Sequence, residues 1–565
     1  MTSHEKSHLL VLIAFAAISA IVTFPLILKI NEGIPYGGDA FQFVWNGWWV
    51  EKALRNPELS VWWTPYQYAP HGSSLVLHDL SPMNAFMQAM MRGVVGDFAA
   101  YNLLILFHYV LAAWGSYILA YYLTGNRPAS VIAGVIYGFS AHHGMHLSQL
   151  STVSNGWIPI AVYYLLKFTR DGGSRDGVMS VLMILASALS HWYSFVFTAV
   201  VFFGFMIIGQ PGLKKDVGGT NRWTRAILAW AVPVLILSPL IIAAWIAKSE
   251  VKVGWLVEMG RMYALDPVRL ILPPPSNPFF GTLVKPLNHT IPGNLTEGVA
   301  SIGILAGTLG IISWFRKNPL TRAWCYVGLI LFLLAIGPNL TILGKATGIP
   351  GPFLLWEKIP GLNLVRVPAR FVGPLTLAVG ISVATMLSVY SGWYAKGFRR
   401  ILVLWIIPTI IIIETLVIPI PMKGKELYHP VFEELPRIYS ETTGNTEPPD
   451  LIVHFPLMPL RAQFMYQQTI HGIPTINGSL SNPPEGAVDF FYDFNWSAEY
   501  LRSIDVDMVI YQRWAVLEQG FRIPESATGP ASEWAGEFVE PYIFFSEIMG
   551  LKIGYEDENL TVFVL

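Results

Sequence analysis

The chain has 565 residues, of which 53% are hydrophobic and 13% charged, and its mean hydropathy is +0.48. Soluble domains usually carry about 25% charged residues, so water is not the main solvent here. A net charge of −1, with basic residues confined to short loops, gives no broad cationic face for nucleic acid, and the single cysteine, Cys325, excludes an intrachain disulfide. In chain order, the first apolar run, from Leu9 to Leu28, is longer than a signal-peptide core and lacks a small-residue cleavage site, so it is expected to remain as a first membrane helix.

The loop over residues 31–100 follows, dense in Trp45, Trp48, Trp49, Trp62, Trp63, Tyr66 and Tyr68. Such residues suit helices lying at headgroup level. Further apolar runs cover 102–124, 128–145, 147–168, 178–209, 226–247, 300–314, 324–343, 371–390 and 401–420. The run 178–209 is too long for one span, and Ser190-His191-Trp192-Tyr193-Ser194 interrupts it, which predicts two short helices there. With about 20 residues per span, these runs predict an all-α polytopic membrane bundle of about eleven transmembrane helices. After Pro421 the pattern changes to short β-rich runs, 451–455, 506–511 and 560–565, separated by polar and proline-rich stretches. The expected domains are a transmembrane domain, 1–420, that includes the first loop, and a small exterior α/β domain, 421–565.

Loop charge orients the bundle, because lysine and arginine collect on the cytoplasmic side of short loops. Lys6, Arg127, Lys167/Arg170/Arg175, Lys214/Lys215/Arg222/Arg225, Arg316/Lys317/Arg322 and Lys396/Arg399/Arg400 fall in alternate connections. The N-terminus is therefore expected in the cytoplasm of a plasma-membrane protein, with the first loop and the C-terminal domain outside. Six Asn-x-Ser/Thr triplets, at Asn288, Asn294, Asn339, Asn477, Asn495 and Asn559, map to the same outer side.

Most histidines gather on that side too, with Asp39, Asp79, Glu258, Asp266, Glu297, Arg366 and Arg370. Ionisable groups at one depth of a bundle mark a functional site. Asp39, after Gly37-Gly38, is placed to take a proton from a hydroxyl, or to cap the helix starting at Ala40. His78-Asp79 offers a metal ligand pair, a substrate contact or a structural contact. His142 and His146 lie four residues apart, on one face of a helix, with His143 turned away; no HExxH glutamate accompanies them, so lipid-phosphate or sugar contact and interface packing stand ahead of zinc binding. In Asn363-Leu364-Val365-Arg366-Val367-Pro368-Ala369-Arg370-Phe371, two arginines before an apolar span suit a phosphate or diphosphate, with snorkelling anchors as the alternative.

Several motifs together resemble the GT-C superfamily of polytopic glycosyltransferases, and more narrowly its uncharacterised YfhO-like prokaryotic members. They are Gly38-Asp39 with Trp45, Tyr68-Ala69-Pro70-His71-Gly72, Gly138-Phe139-Ser140 with His146, Trp157-Ile158-Pro159, Glu297 before Ile302-Gly303, Arg366-Val367-Pro368-Ala369-Arg370-Phe371, and Gln468-Thr469-Ile470-His471-Gly472. The Asp-Asp or Asp-Glu pair is missing, as is the Trp-Trp-Asp-Tyr-Gly motif of the oligosaccharyltransferase branch. The resemblance implies transfer of a sugar from a polyprenyl-phosphate donor at the outer membrane face, with Asp39 as catalytic base. Arg366 and Arg370 would stabilise the departing phosphate, and His78, Asp79, His142, His146 and Glu297 would contact substrate. No cofactor is required for that displacement, although a divalent metal is compatible with it. The partners it implies are the lipid-linked donor and membrane lipids, with no nucleic acid. Two other classes stay open: a non-catalytic scaffold or accessory subunit, and a transporter. A transporter would place ionisable groups or broken helices near the bilayer midplane.

Overall fold

The computed structural model describes residues 3–37, 39–209, 221–248, 260–291, 295–392, 394, 396–455, 461–479, 498–513, 521–522 and 538–565. Of the residues singled out above, Gly38, Lys214, Lys215, Glu258, Asn294 and Asn495 lie outside the described ones.

The chain is mostly helical. Among the described residues four helices are long and apolar enough to cross a membrane: Glu5–Val22, Asp97–Thr124, Arg222–Ala247 and Pro368–Val389. Trp192–Ile207, Ile304–Trp314 and Pro319–Ala335 are apolar but shorter. The expected eleven spans are therefore not matched one for one, because several apolar runs break. Run 128–145 divides at Phe139-Ser140 into Arg127–Gly138 and Ala141–Met145, and run 300–314 becomes helical only at Ile304. At 1.5 Å per residue, Ile304–Trp314 reaches only about half of a ~30 Å hydrocarbon core. Local sequence explains the starts. Asn126 and Asn318 each cap a helix by accepting a backbone N–H (Ala129, Thr321), with proline in the first turn. The run 178–209 forms two helices, Ser174–Ser190 and Trp192–Ile207, with His191 extended between them, as its interruption predicts.

Two compact units emerge. The first comprises Met1–Gly37, Ser81–Asn84 and Phe98–Met422; the second comprises Gly38–Leu80, Ala85–Asp97 and Lys423–Leu565. Most of the first loop thus groups with the C-terminal segment, a different division from the one expected at residue 420.

In the first unit, Val372–Val389 packs on both Pro319–Ala335 and Arg127–Gly138, and Trp157–Asp171 packs on Ser174–Ser190. Glycines set the closest approaches: a Cβ on Gly138 would lie 2.7 Å from the Ala113 backbone, and one on Gly156 would lie 2.7 Å from Ala112 N.

The second unit is built on a four-stranded sheet in the order Lys552–Glu556, Leu560–Val564, Met508–Gln512, Ile452–Phe455. The last pair is parallel and the other two are antiparallel. The three β-rich runs of the tail supply three of these strands. Against it, the helix Ala40–Arg55 packs on Arg461–His471, and Trp45 Nε1 donates to Gln468 Oε1 at 2.7 Å. Trp45, Trp48 and Trp49 are buried, with Trp45 and Trp49 stacked at 5.7 Å. The tryptophans expected at headgroup level are thus core residues of this unit, because Ala40–Arg55 is apolar around most of its circumference; Trp63, at 45%, stays exposed.

Candidate functional site

In the first unit a polar cluster forms where three segments meet. Pro368 opens the turn Pro368–Phe371, which leads directly into Val372–Val389 and sets Arg370 at the head of that helix. Glu297 arrives on the short helix Leu295–Gly298, and His142 and His146 arrive on and just after Ala141–Met145. Arg370 grips Glu297 in a bidentate pair: Nε donates to both carboxylate oxygens at 3.1 Å, and Nη2 donates to Oε1. Arg370 Nη2 also donates to Gln149 Oε1 at 3.0 Å. On the other side of the carboxylate, His146 Nε2 lies 3.2 Å from Glu297 Oε2, while its Nδ1 lies 2.7 Å from the His142 carbonyl. Both ring nitrogens of His146 face acceptors. The His142 and His146 rings stand 4.3 Å apart, so the spacing of four residues does bring them to one face. His143 turns instead to Ser140 and Tyr137.

Burial pushes the Glu297 carboxyl up, but the Arg370 guanidinium and His146 outweigh it and hold the group well below the usual carboxylate range. Glu297 is therefore a buried carboxylate, 6% exposed, and Arg370 is largely buried with it. Tyr193 completes this side: the Arg370 guanidinium lies 5.2 Å over its ring, its hydroxyl accepts the Arg366 backbone N–H at 2.9 Å, and His191 stacks on it at 4.8 Å. His142 Nε2 and His191 Nδ1 are buried and have no hydrogen-bond partner among the described residues. A Cβ on Gly373 would lie 3.3 Å from His142 Nε2 and 3.1 Å from Asn155 Nδ2, so glycine there leaves those donors uncovered. The charges of Arg366, Arg370 and Glu297 all act on Tyr193, and the His191 imidazole stands beside it. Such a site suits an anion with several acceptor oxygens.

The other expected site residues belong to the second unit. Asp39 is half-buried, in helical conformation (φ −98°, ψ −12°), and its side chain makes no capping hydrogen bond to Ala40–Arg55. The capping role read from its position is not the one it takes. His78 is buried, with Nε2 2.9 Å from Asn46 Oδ1; the Asn46 amide donates to the carbonyls of Asp79 and Leu80 at 2.9 and 3.1 Å. Asp79 itself is half-buried. Among the described residues no three His, Cys, Asp or Glu side chains meet as metal ligands.

Sequence reasoning passed over Gln149, Tyr193 and Arg269. Tyr193 carried a signal, since it belongs to the polar interruption that splits run 178–209. Gln149 and Arg269 carried none beyond being polar residues beside apolar runs.

No protein-family model matches the chain, and no curated protein matches it in sequence. Solved structures do match. The oligosaccharyltransferase of Archaeoglobus fulgidus with zinc and sulfate superposes at a TM-score of 0.52 and 16% identity, covering 89% of this chain and 68% of that one. Its apo form gives 0.53 and 16%, over 89% and 69%. Oligosaccharyltransferase AglB of the same organism, with an inhibitory peptide and a dolichol-phosphate, gives 0.51 and 15%, over 90% and 70%. The chain shares the fold of these solved structures. At 15–16% identity the likeness is one of fold.

Proposed function

We propose that the chain is a membrane glycosyltransferase that moves a sugar from a polyprenyl-phosphate donor to an acceptor at the outer membrane face. The observation that carries this reading is the cluster of Arg370, Glu297, His146 and His142 at the head of a spanning helix, with Arg366 four residues upstream. It offers guanidinium donors and the unsatisfied imidazole nitrogens of His142 and, beside them, His191 for a lipid phosphate. The fold supports it: the similar AglB structure holds a dolichol-phosphate. The narrower kinship with YfhO-like proteins rests on the sequence motifs alone.

In this reaction the anomeric carbon is attacked by an acceptor hydroxyl as the bond to the lipid phosphate breaks. Asp39 takes the proton of that hydroxyl. Arg366 and Arg370 stabilise the phosphate as it departs, and Glu297 orients Arg370. Charge stabilisation at the leaving group raises the rate because it grows as the bond breaks, whereas equal grip on the ground state would not.

The test is sugar transfer from a polyprenyl-phosphate donor by wild type and Asp39→Asn, with melting temperature measured alongside. A general base contributes about 10²- to 10⁴-fold, so turnover should fall by that factor with the fold intact. Full activity in Asp39→Asn removes Asp39 from the mechanism. Inactivity of both proteins with every donor favours a scaffold or accessory subunit.

A further inference from the structure

Glu297 is held by more than the groups that face its carboxylate. The helix that carries it ends at Gly298, and the Arg269 guanidinium occupies the space where any Cβ on Gly298 would stand. Arg269 is only 3% exposed. Its Nη2 donates to the Ile291 carbonyl at 2.8 Å and reaches the Asn288 carbonyl at 3.4 Å. This guanidinium thus touches the chain both before and after Glu297. Beyond it, Ile302 N–H donates to the Leu270 carbonyl at 2.9 Å, and Leu305 N–H donates to Glu414 Oε2 at 2.9 Å. The segment is fastened on each side of Glu297. Burying a cation on main-chain carbonyls is costly, and it persists where the geometry it enforces is needed.

We infer that Arg269 is a positioning residue: it fixes the backbone of Glu297 so that the carboxylate meets Arg370 and His146, and Gly298 is the space it requires. What Glu297 then does rests on the anion site proposed above; the clamp itself involves no ligand.

Purified full-length protein carrying Arg269→Met, Glu297→Gln or both is measured for binding of undecaprenyl phosphate and for melting temperature. Each single change should weaken binding by about tenfold, the scale of one charge-assisted contact. The double variant should lose no more than the worse single one, because both act through one carboxylate. Arg269→Lys should recover most of the affinity, whereas Gly298→Ala, which keeps every charge but collides with Arg269, should behave like Arg269→Met. Losses that multiply in the double variant overturn the inference, as does unchanged affinity in both Arg269→Met and Gly298→Ala. Should wild type fail to bind undecaprenyl phosphate, the anion site itself is wrong. The clamp is then judged on melting temperature, where sub-additive shifts uphold it and additive ones reject it.

Discussion

Single residues of the second unit carry a pH response. His454 is fully buried, stacked on Phe464 at 4.8 Å and 5.5 Å from the His471 ring. Burial pushes His454 down to about 3, and burial together with His454 holds His471 well below the usual histidine range. Both folded-state values are depressed, so the stabilisation is complete above about pH 6.5 and is lost as pH falls and the unfolded chain takes up protons that the folded one refuses. Each histidine removes about 1.4 kcal/mol per pH unit below that point. Melting followed by tryptophan fluorescence should therefore show a clear loss between pH 7.5 and 5.5, reduced in His454→Gln. An unchanged pH dependence in that variant would sink the account. At this scale the sequence was legible where geometry is local: His142 and His146 share a face because a helix puts residues four apart together. The pairing of Glu297 with Arg370 spans 73 residues and left no local mark, although each was suspected singly.

Between elements, the tight crossing at Gly138 makes a sharp prediction. With the Ala113 backbone only 2.7 Å from where a Cβ would stand, Gly138→Ala must push the helices Asp97–Thr124 and Arg127–Gly138 apart. Overpacking of this kind costs about 1–3 kcal/mol, so melting temperature should drop, whereas Gly93→Ala, with open space around it, should not show that clash. Equal melting of Gly138→Ala and wild type would refute the close crossing. The two helices of run 178–209 were legible because a polar pentapeptide inside an apolar stretch has few other readings. The hairpin of Asn339–Ile342 with Lys345–Pro350 was not: its turn places Leu343 at φ 51° beside Gly344 at φ 74°. Leucine is an uncommon residue in that conformation, and the turn lacks the usual Asn-Gly signal. Breaks within other apolar runs, as at Phe139-Ser140, were equally silent, so the apolar runs and the described helices do not correspond one for one.

For the molecule as a whole, the orientation expected from loop charge can be checked directly. Cys325 is buried, so Cys325→Ser gives a clean background in which Ser440→Cys should react with an impermeant maleimide on intact cells. Reaction only after permeabilisation would reverse the orientation. The tail's strands announced themselves by composition, but the grouping of the first loop with the tail could not, since Trp45 and Gln468 lie 423 residues apart. That separation bears on biosynthesis. At about 5–20 residues per second, the ribosome needs roughly twenty to ninety seconds to travel from the helix Ala40–Arg55 to the glutamine that receives the Trp45 indole. Throughout that interval Trp45, Trp48 and Trp49 can pack only on the first loop, without Met465 and the Gln468 acceptor. Truncations short of residue 468 should therefore leave that core incomplete and be degraded faster than the full chain.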